Sequence, residues 1–400
     1  MRLVHLSDLH LGYRQYQRLT PTGVNQREAD VAATFRLVVD RIIDLRPELV
    51  VVAGDVFHNV RPSNQAIVHA FLQFNRLVSA LPESAIVLVA GNHDTPRTSE
   101  TGGILQLFAQ LNGLDVVDRE PRRLSFPHLD LSVLAVPDVT GVAKPSFTRD
   151  PNARFNVLSL HGEIPGLTDS PAWDRPPLEV SLSELNAPAW DYVALGHHHV
   201  YTEVKSNAFY SGSIDYTSVD TWGERREEDP KGKTGPKGKG FIERDLVSGE
   251  HRFHLLPPSR PLIELPQINA SALTASDIDN RIRGIVEACV DGIDDKIVRL
   301  TVWNIPRHVA RELDHKSIRE YKRRALSFQL DLRRPELHRV TTSGAPARRP
   351  SLNDIVREKL ATRPIDADID RDALIERAIA YLDEAQVAAV VSTPPAPIEA

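Results

Sequence analysis

The sequence predicts an α/β protein built on two sheets, and three observations predict it. Short apolar runs alternate with helical periodicity through the first ninety residues. Denser strand signals then occupy residues 115–256 with few long helical patterns between them, and a smaller α/β pattern starts again after Pro257-Pro258. At 400 residues the chain has room for two or three domains of roughly 100–200 residues each. A composition of 41% hydrophobic and 26% charged residues excludes a disordered, collagen-like or fibrous protein.

Taken in order, Leu3 to Leu6, Leu49 to Ala53 and Ile86 to Ala90 are the strands of a βαβαβ pattern. Between them Val31, Phe35, Val38, Val39, Ile42 and Ile43 recur at helical spacing. Ile67, Ala70, Phe71, Phe74, Leu77 and Val78 do the same behind a Ser63 cap. The unbroken apolar runs fit parallel strands buried on both faces, and in such sheets function gathers beyond the carboxyl ends. Asp8, Asp55 and Asn92 stand there. Leu129 to Val136, Phe155 to Leu160, Tyr192 to Leu195, Phe209-Tyr210, Phe241-Ile242 and Arg252 to Leu256 read as a second sheet. The stretch Gly223 to Gly240, carrying Lys231, Lys233, Lys237 and Lys239, is too rich in glycine, lysine and proline to hold a core and reads as a mobile loop.

Leu262 to Leu265, a helix with Ile278, Ile282, Ile285, Val286 and Cys289, a strand from Ile297 to Trp303 and the alternation Leu326, Phe328, Leu330, Leu332 make a second, small α/β domain. Residues 341–350 have a linker's composition. Ser351 can cap a helix bearing Leu352, Ile355, Val356 and Leu360, and a further helix bears Leu374, Ile375, Ile379 and Leu382. The expected domains are 1–258, 259–340 and 341–400.

A single cysteine, Cys289, excludes an intramolecular disulfide and a thiolate zinc site. With no apolar run of about 18 residues and Met1-Arg2 leading straight into a short strand, the expectation is a cytoplasmic protein with no membrane association. Net charge is −6, with 48 basic against 54 acidic residues, too mild to announce a nucleic-acid binder by bulk electrostatics. Any metal must then be held by oxygen and imidazole, which makes the 15 histidines informative.

Five short motifs stand at strand ends: Asp8-Leu9-His10, Gly54-Asp55 with His58 nearby, Gly91-Asn92-His93-Asp94, His161-Gly162 and Gly196-His197-His198-His199. Each alone is a weak signal whose ordinary reading is a capped turn or a solvated histidine. Together they offer oxygen and imidazole donors suited to Mn²⁺, Mg²⁺, Fe²⁺ or Zn²⁺. Alternation places Asp8 with His10 and His197 with His199 on common faces, and turns His198 away. Asp55, after a glycine at the end of the central strand, suits a carboxylate bridging two ions about 3.5–4 Å apart. Two divalent ions set against Asp8, Asp55 and a bridging hydroxide leave one net positive charge, which suits a phosphodiester.

In this order the motifs resemble those of calcineurin-like metallophosphoesterases. Val4-His5-Leu6-Ser7-Asp8-Leu9-His10-Leu11-Gly12-Tyr13, Ala53-Gly54-Asp55-Val56-Phe57-His58 running to Arg61-Pro62-Ser63, and Tyr210-Ser211-Gly212-Ser213 resemble more closely the SbcD family of double-strand-break repair nucleases, which includes the meiotic-recombination-eleven nucleases. The resemblance covers roughly residues 1–245 in motif. It implies a four-layer α/β/β/α sandwich with a smaller capping domain and a C-terminal helical tail. It also implies one metal on Asp8, His10, Asp55 and His199 and another on Asp55, Asn92, His161 and His197. His93 is then the non-ligand histidine near the scissile phosphate, with His58 and Asp94 holding its ring. The implied activity is Mn²⁺- or Mg²⁺-dependent cleavage of DNA, exonucleolytic on duplex ends and endonucleolytic on single strands. The implied partners are DNA, an SbcC-type coiled-coil ATPase gripped by the tail helices, and a second copy of the chain, in nucleoid-associated work. The rivals are a phosphatase or small-molecule phosphodiesterase sharing the site, and a non-catalytic scaffold. Arg319, Lys322, Arg323, Arg324, Arg333, Arg334, Arg339, Arg348 and Arg349, against Glu320, Asp331 and Glu336, give +6 over residues 319–349, either a DNA-backbone contact or a charged face with partners elsewhere. Arg14, Tyr13 and Tyr16 beside the first motif could touch DNA or pack.

Overall fold

A computed structural model of the chain describes residues 1–96, 103–167, 178–228, 235–335, 352–362 and 370–391. It divides into two units, Met1–Pro335 and Glu336–Ala400. The larger unit opens with strand β1 (Arg2–Leu6), helix α1 (Gln26–Leu45), β2 (Leu49–Ala53), α2 (Asn64–Ala80), β3 (Ala85–Val89) and β4 (Asp115–Val117). The Asn25 side chain caps α1 by accepting from Arg27 N, and Ser63 caps α2 by accepting from Ala66 N, the cap the sequence predicts. Then come β5 (Arg122–Phe126), β6 (Leu131–Val136), β7 (Phe155–His161), α3 (Leu182–Leu185), β8 (Tyr192–Gly196), β9 (Thr202–Lys205), β10 (Ala208–Tyr210), α4 (Thr221–Glu227), β11 (Gly240–Asp245) and β12 (His251–Leu255).

β1 to β4 run parallel in order β1-β2-β3-β4, and β11 and β12 extend the sheet beyond β1 in antiparallel pairing. The second sheet has the order β5-β6-β7-β8-β10-β9 and is parallel from β6 to β10. Alternation along single strands explains the layering. Val4, Leu6, Val50 and Val52 pack against Val31, Phe35 and Phe74 of α1 and α2. Leu3, Val51 and Val87 face the other way, onto Val133, Val157 and Ala194 of the second sheet. The outer face of that sheet, through Leu134, Leu158 and Val193, is covered by Leu185 of α3 and by Trp190. The result is the expected α/β/β/α sandwich with a thin fourth layer.

One expectation fails. Phe241-Ile242 and Arg252 to Leu256 read as second-sheet strands, yet β11 pairs with β1, Leu3 opposite Arg244 and His5 opposite Ile242, and so belongs to the first sheet. Alternation fixes which faces are buried and carries no information about the neighbouring strand.

A third sheet follows: β13 (Leu262–Glu264), β14 (Ile268–Asn269), α5 (Ala275–Glu287), β15 (Ile297–Trp303), α6 (Arg307–Arg311), α7 (His315–Arg324) and β16 (Ser327–Leu332), with β15 parallel to each of the other three strands. Ile278, Ile282 and Val286 of α5 and Ile318 and Tyr321 of α7 cover Val298, Leu300 and Val302. Part of the basic segment is spent internally, as Arg324 is bidentate on Asp294 at 3.0 and 2.9 Å and Arg333 pairs with Asp331 at 2.9 Å while stacking over Trp303. Arg339, Arg348, Arg349 and the linker 341–350 lie outside the described residues. In the smaller unit α8 (Leu352–Thr362) and α9 (Arg371–Val391) are present as expected, and Arg371 donates to the Leu360 and Ala361 carbonyls at the end of α8. Among the described residues no helix is long and apolar enough to cross a membrane.

Candidate metal centre

The carboxyl ends of β1, β2 and β3 in one sheet meet those of β7 and β8 in the other, and the five motifs occupy these ends. The loops after β1 and β2 run together: Asp8 N donates to Gly54 O at 3.0 Å, His10 N to Asp55 O at 2.9 Å and Leu11 N to Val56 O at 2.9 Å. Asp8, His10 and Asp55 sit at φ of 53°, 46° and 51°, and His197 at 117°. Left-handed backbone at non-glycine residues costs of order 1–3 kcal/mol each and persists where the surroundings over-determine it. Here it turns four of the seven expected donors inward instead of along the strands. Gly54, at φ 94°, leaves room for His161, whose Nδ1 stands 2.8 Å from Ala53 O; a side chain at Gly54 would collide with that ring.

The donors converge. His10 Nε2 and His199 Nε2 are 2.9 Å apart. Asp55 Oδ2 lies 3.7 Å from His10 Nε2 and 3.4 Å from His161 Nε2, so this one oxygen stands between the two sheets' histidines. Asn92 Oδ1 is 3.1 Å from His161 Nε2. Asp8, His10 and His199 form one group whose ligand atoms lie within 4.8 Å of one another, and Asp8, Asp55 and His161 form another. His197 is outside these groups; its backbone N donates to Asp8 Oδ2 at 3.2 Å and its ring meets His161 edge-on at 5.5 Å. His198 turns away onto Tyr210, ring to ring at 4.5 Å.

The protonation states follow from burial and neighbours. Burial raises Asp8 above the usual carboxylate range, whereas Asp55, which burial alone would raise, is held well below it by His161, His93 and His10. Burial lowers His10 well below the ordinary histidine value and His197 to about 3, while His161, despite burial, is raised to about 10 by Asp55. Opposed shifts of this size in adjoining groups mark a functional site. Asp8 Oδ1 is buried and finds no hydrogen-bond partner among the described residues. An orphaned oxygen on a carboxylate grouped with imidazoles and a second carboxylate, without thiolate, fits a hard or borderline divalent cation.

His93 and its supports are arranged differently from the expectation. His93 N donates to Asp55 Oδ1 at 2.9 Å and its Nδ1 lies 2.8 Å from the His58 carbonyl. The His58 ring stacks on His93 and brings its Nδ1 to 3.4 Å from His10 Nδ1, with Tyr13 edge-on behind it at 5.0 Å. Asp94 does not reach the His93 ring: its carboxylate accepts from the backbone N–H groups of Val56, Phe57 and Gly91 at 3.0, 2.9 and 3.0 Å, locking the loops after β2 and β3 together. Three backbone N–H groups claim the carboxylate instead.

Sequence reasoning missed Glu224 in α4 and misread Lys239. Lys239 is 3% exposed, not a loop tether; its ammonium pairs with Glu224 and donates to the His199 carbonyl at 2.7 Å. Glu224 Oε1 faces His199 Nδ1 at 3.6 Å. Burial would raise Glu224, but Lys239 holds it down at about 2. No periodicity marks either residue, since both lie at the edges of a segment whose composition is that of a loop. Lys231 and Lys233 fall outside the described residues.

The family model for calcineurin-like phosphoesterases matches residues 1–201. The chain is 27% identical over 261 residues to the DNA double-strand break repair protein Mre11 of Methanocaldococcus jannaschii, covering 62% of this chain and 64% of that protein. It is 34% identical over 260 residues to the Mre11 of Methanococcus maripaludis, covering 62% and 63%. With the Mre11 of Methanosarcina mazei identity is 24% over 362 residues, 80% of this chain and 55% of the relative. These matches span between half and two thirds of the relatives' own length. A family model matched across half of the chain, on the strand ends where the carboxylates and histidines meet, places this protein in the calcineurin-like phosphoesterase family.

Proposed function

We propose that this chain is a metal-dependent DNA nuclease of the Mre11 and SbcD type, a phosphodiester hydrolase acting in double-strand-break repair. The observation that carries this reading is the convergence of Asp8, His10 and His199 with Asp55 and His161, with Asp8 Oδ1 buried and without a hydrogen-bond partner among the described residues. Asp8, His10, Asp55 and His199 would hold one divalent ion and Asp55, Asn92, His161 and His197 a second, with Mn²⁺ preferred to Mg²⁺. When bound, such a pair supplies Lewis-acid stabilisation of charge developing on the phosphate. The chain's own groups do the rest. Because the His58 carbonyl engages His93 Nδ1, His93 Nε2 is the atom left to pass a proton to the leaving oxygen. The His58 ring orients His10, and Asp94 keeps the two loops in register.

Residues 1–258 would form the nuclease domain, 259–340 the capping domain and 341–400 the linker and tail. DNA is the substrate, and an SbcC-type coiled-coil ATPase is the partner of α8 and α9, where Ile355, Leu374 and Tyr381 are exposed apolar positions. Val68 and Leu72, one turn apart on α2, and Leu107 are likewise exposed and support a homodimer. The setting would be the cytoplasm, on the nucleoid. The test is a labelled duplex with one 3′ and one 5′ overhang, incubated with Mn²⁺ or Mg²⁺ and with or without the ATPase. Metal-dependent end resection is expected; a protein that cleaves only small phosphodiesters would refute the reading.

A further inference from the structure

We propose that Glu224, set in place by Lys239, is a positioning residue that fixes His199 as an Nε2 donor to one of the two cations, so that α4 and the start of β11 serve one half of the metal centre. The inference rests on the metal-site reading given above and concerns what stands behind one ligand. His199 has its Nε2 turned inward, 2.9 Å from His10 Nε2, and its Nδ1 turned outward, 3.6 Å from Glu224 Oε1. A neutral imidazole offers a lone pair at one nitrogen only, and the group facing the other nitrogen decides which. A carboxylate facing Nδ1 favours the Nδ1–H tautomer and leaves Nε2 free to bind a cation. Carboxylates behind metal-binding histidines act in this way generally.

Glu224 is itself fixed. Its Oε1 accepts from Ser213 Oγ at 3.1 Å and its Oε2 from Ser218 N at 3.0 Å, and the Lys239 ammonium closes on Oε1. That ammonium also donates to the His199 carbonyl at 2.7 Å, which further accepts from Ser213 N at 3.1 Å. Lys239 therefore holds His199 at two points, directly through the backbone and through Glu224 at the ring. Its position is set by β11, which it immediately precedes, and the pairing of β11 with β1 joins this support to the strand that leads into the Asp8 and His10 loop. On the other half of the centre His161 Nδ1 faces the Ala53 carbonyl at 2.8 Å, a neutral backbone acceptor where His199 has a charged carboxylate. The two halves of the centre are thus supported differently, which makes the inference specific.

Calorimetric titration of the full chain with Mn²⁺ tests it, comparing wild type with Glu224→Gln and with the charge-neutral pair Glu224→Gln/Lys239→Met. Wild type should bind two ions; in a folded variant the affinity for one should fall about 10–100-fold while the other is unchanged. Failure of wild type to bind Mn²⁺ would overturn the metal-site reading and this inference with it. Unchanged affinities in the variants, or equal loss at both sites, would overturn the inference alone. A second measurement needs no Glu224 variant: long-range ¹H–¹⁵N correlation of histidine-labelled, metal-free wild type, with His199→Ala to assign the signal. The Nδ1–H tautomer is expected for His199, and the Nε2–H tautomer would refute the proposal.

Discussion

Asp55 concentrates more of the site in one side chain than any other residue: Oδ1 holds the His93 backbone and Oδ2 stands between His10 and His161. Asp55→Ala and Asp8→Ala should each lower Mn²⁺-dependent cleavage by about 10³-fold or more, the equivalent of the several kcal/mol a cation contributes to phosphoryl transfer. Cleavage of a labelled duplex reads this, and near-normal turnover by either variant would remove the metal assignment. His93→Gln should separate chemistry from metal, slowing cleavage about 10²–10⁴-fold while calorimetry still counts two ions. A different kind of histidine, His5, lies buried between the sheets with its Nδ1 3.0 Å from the Tyr192 hydroxyl, and burial pushes its pKa down to about 3. The unfolded chain takes up that proton near pH 6.5, so between about pH 6.5 and 3 the unfolded state binds more protons and stability decreases as the pH is lowered, by at most about 1.4 kcal/mol per pH unit. Denaturant titrations at pH 4 to 7 should therefore show a shallower acid slope for His5→Asn; parallel slopes would place the acid sensitivity elsewhere. At this scale the motif positions were legible because each stands at or just beyond a strand end; of the seven expected donors Asp8, His10, Asp55, His161 and His199 fall into close groups, Asn92 lies beside His161, and His197 stands outside those groups. Glu224 was not legible, because its partner His199 is 25 residues away along the chain with nothing periodic between them.

Helices and strands divide in the same way. The βαβαβ opening was readable because both faces of β1, β2 and β3 are buried and the covering helices keep a regular apolar stripe. The sheet to which β11 belongs was not, since the residue that decides it is Leu3, opposite Arg244 and far removed in sequence. The helix α7 was read only as charge: its apolar contribution is Ile318 and Tyr321, and Lys322, Arg323 and Arg324 gather at its carboxyl end, where cations complement the helix dipole. For α8 and α9, Ile375 is buried while Ile355 and Leu374 remain exposed. Ile355→Asp with Leu374→Asp should leave small-substrate hydrolysis and the melting temperature unchanged and abolish co-purification with the coiled-coil ATPase. Retained binding, or a melting temperature lowered by many degrees, would return these positions to the protein's own core.

Across the larger unit, the chain that enters the third sheet is joined to the first sheet's helical layer by polar and charged contacts. Arg27 is 1% exposed and donates to Asp215 at 3.0 Å and to Ser259 at 2.9 Å; Arg260 grips Asp30 at 2.9 and 3.0 Å; Arg18 reaches Asp295 at 2.8 Å. Arg27 pairs with Asp215 and, at 3.3 Å, with Asp30, so Asp215→Ala leaves the buried guanidinium one carboxylate and should cost about 1–3 kcal/mol in chemical denaturation. A loss below about 1 kcal/mol would mean that water or rearrangement satisfies Arg27. The pairing of β1 with β11 also has a consequence for synthesis. Strand β1 finds its outer neighbour only when residues 240–245 have been made, on the order of ten to fifty seconds after it at roughly 5–20 residues per second. Until then the edge of β1 is an open template for any passing strand. Nascent chains halted before Gly240 should accordingly be claimed by chaperones or aggregate, and those extended past Leu255 should be released folded.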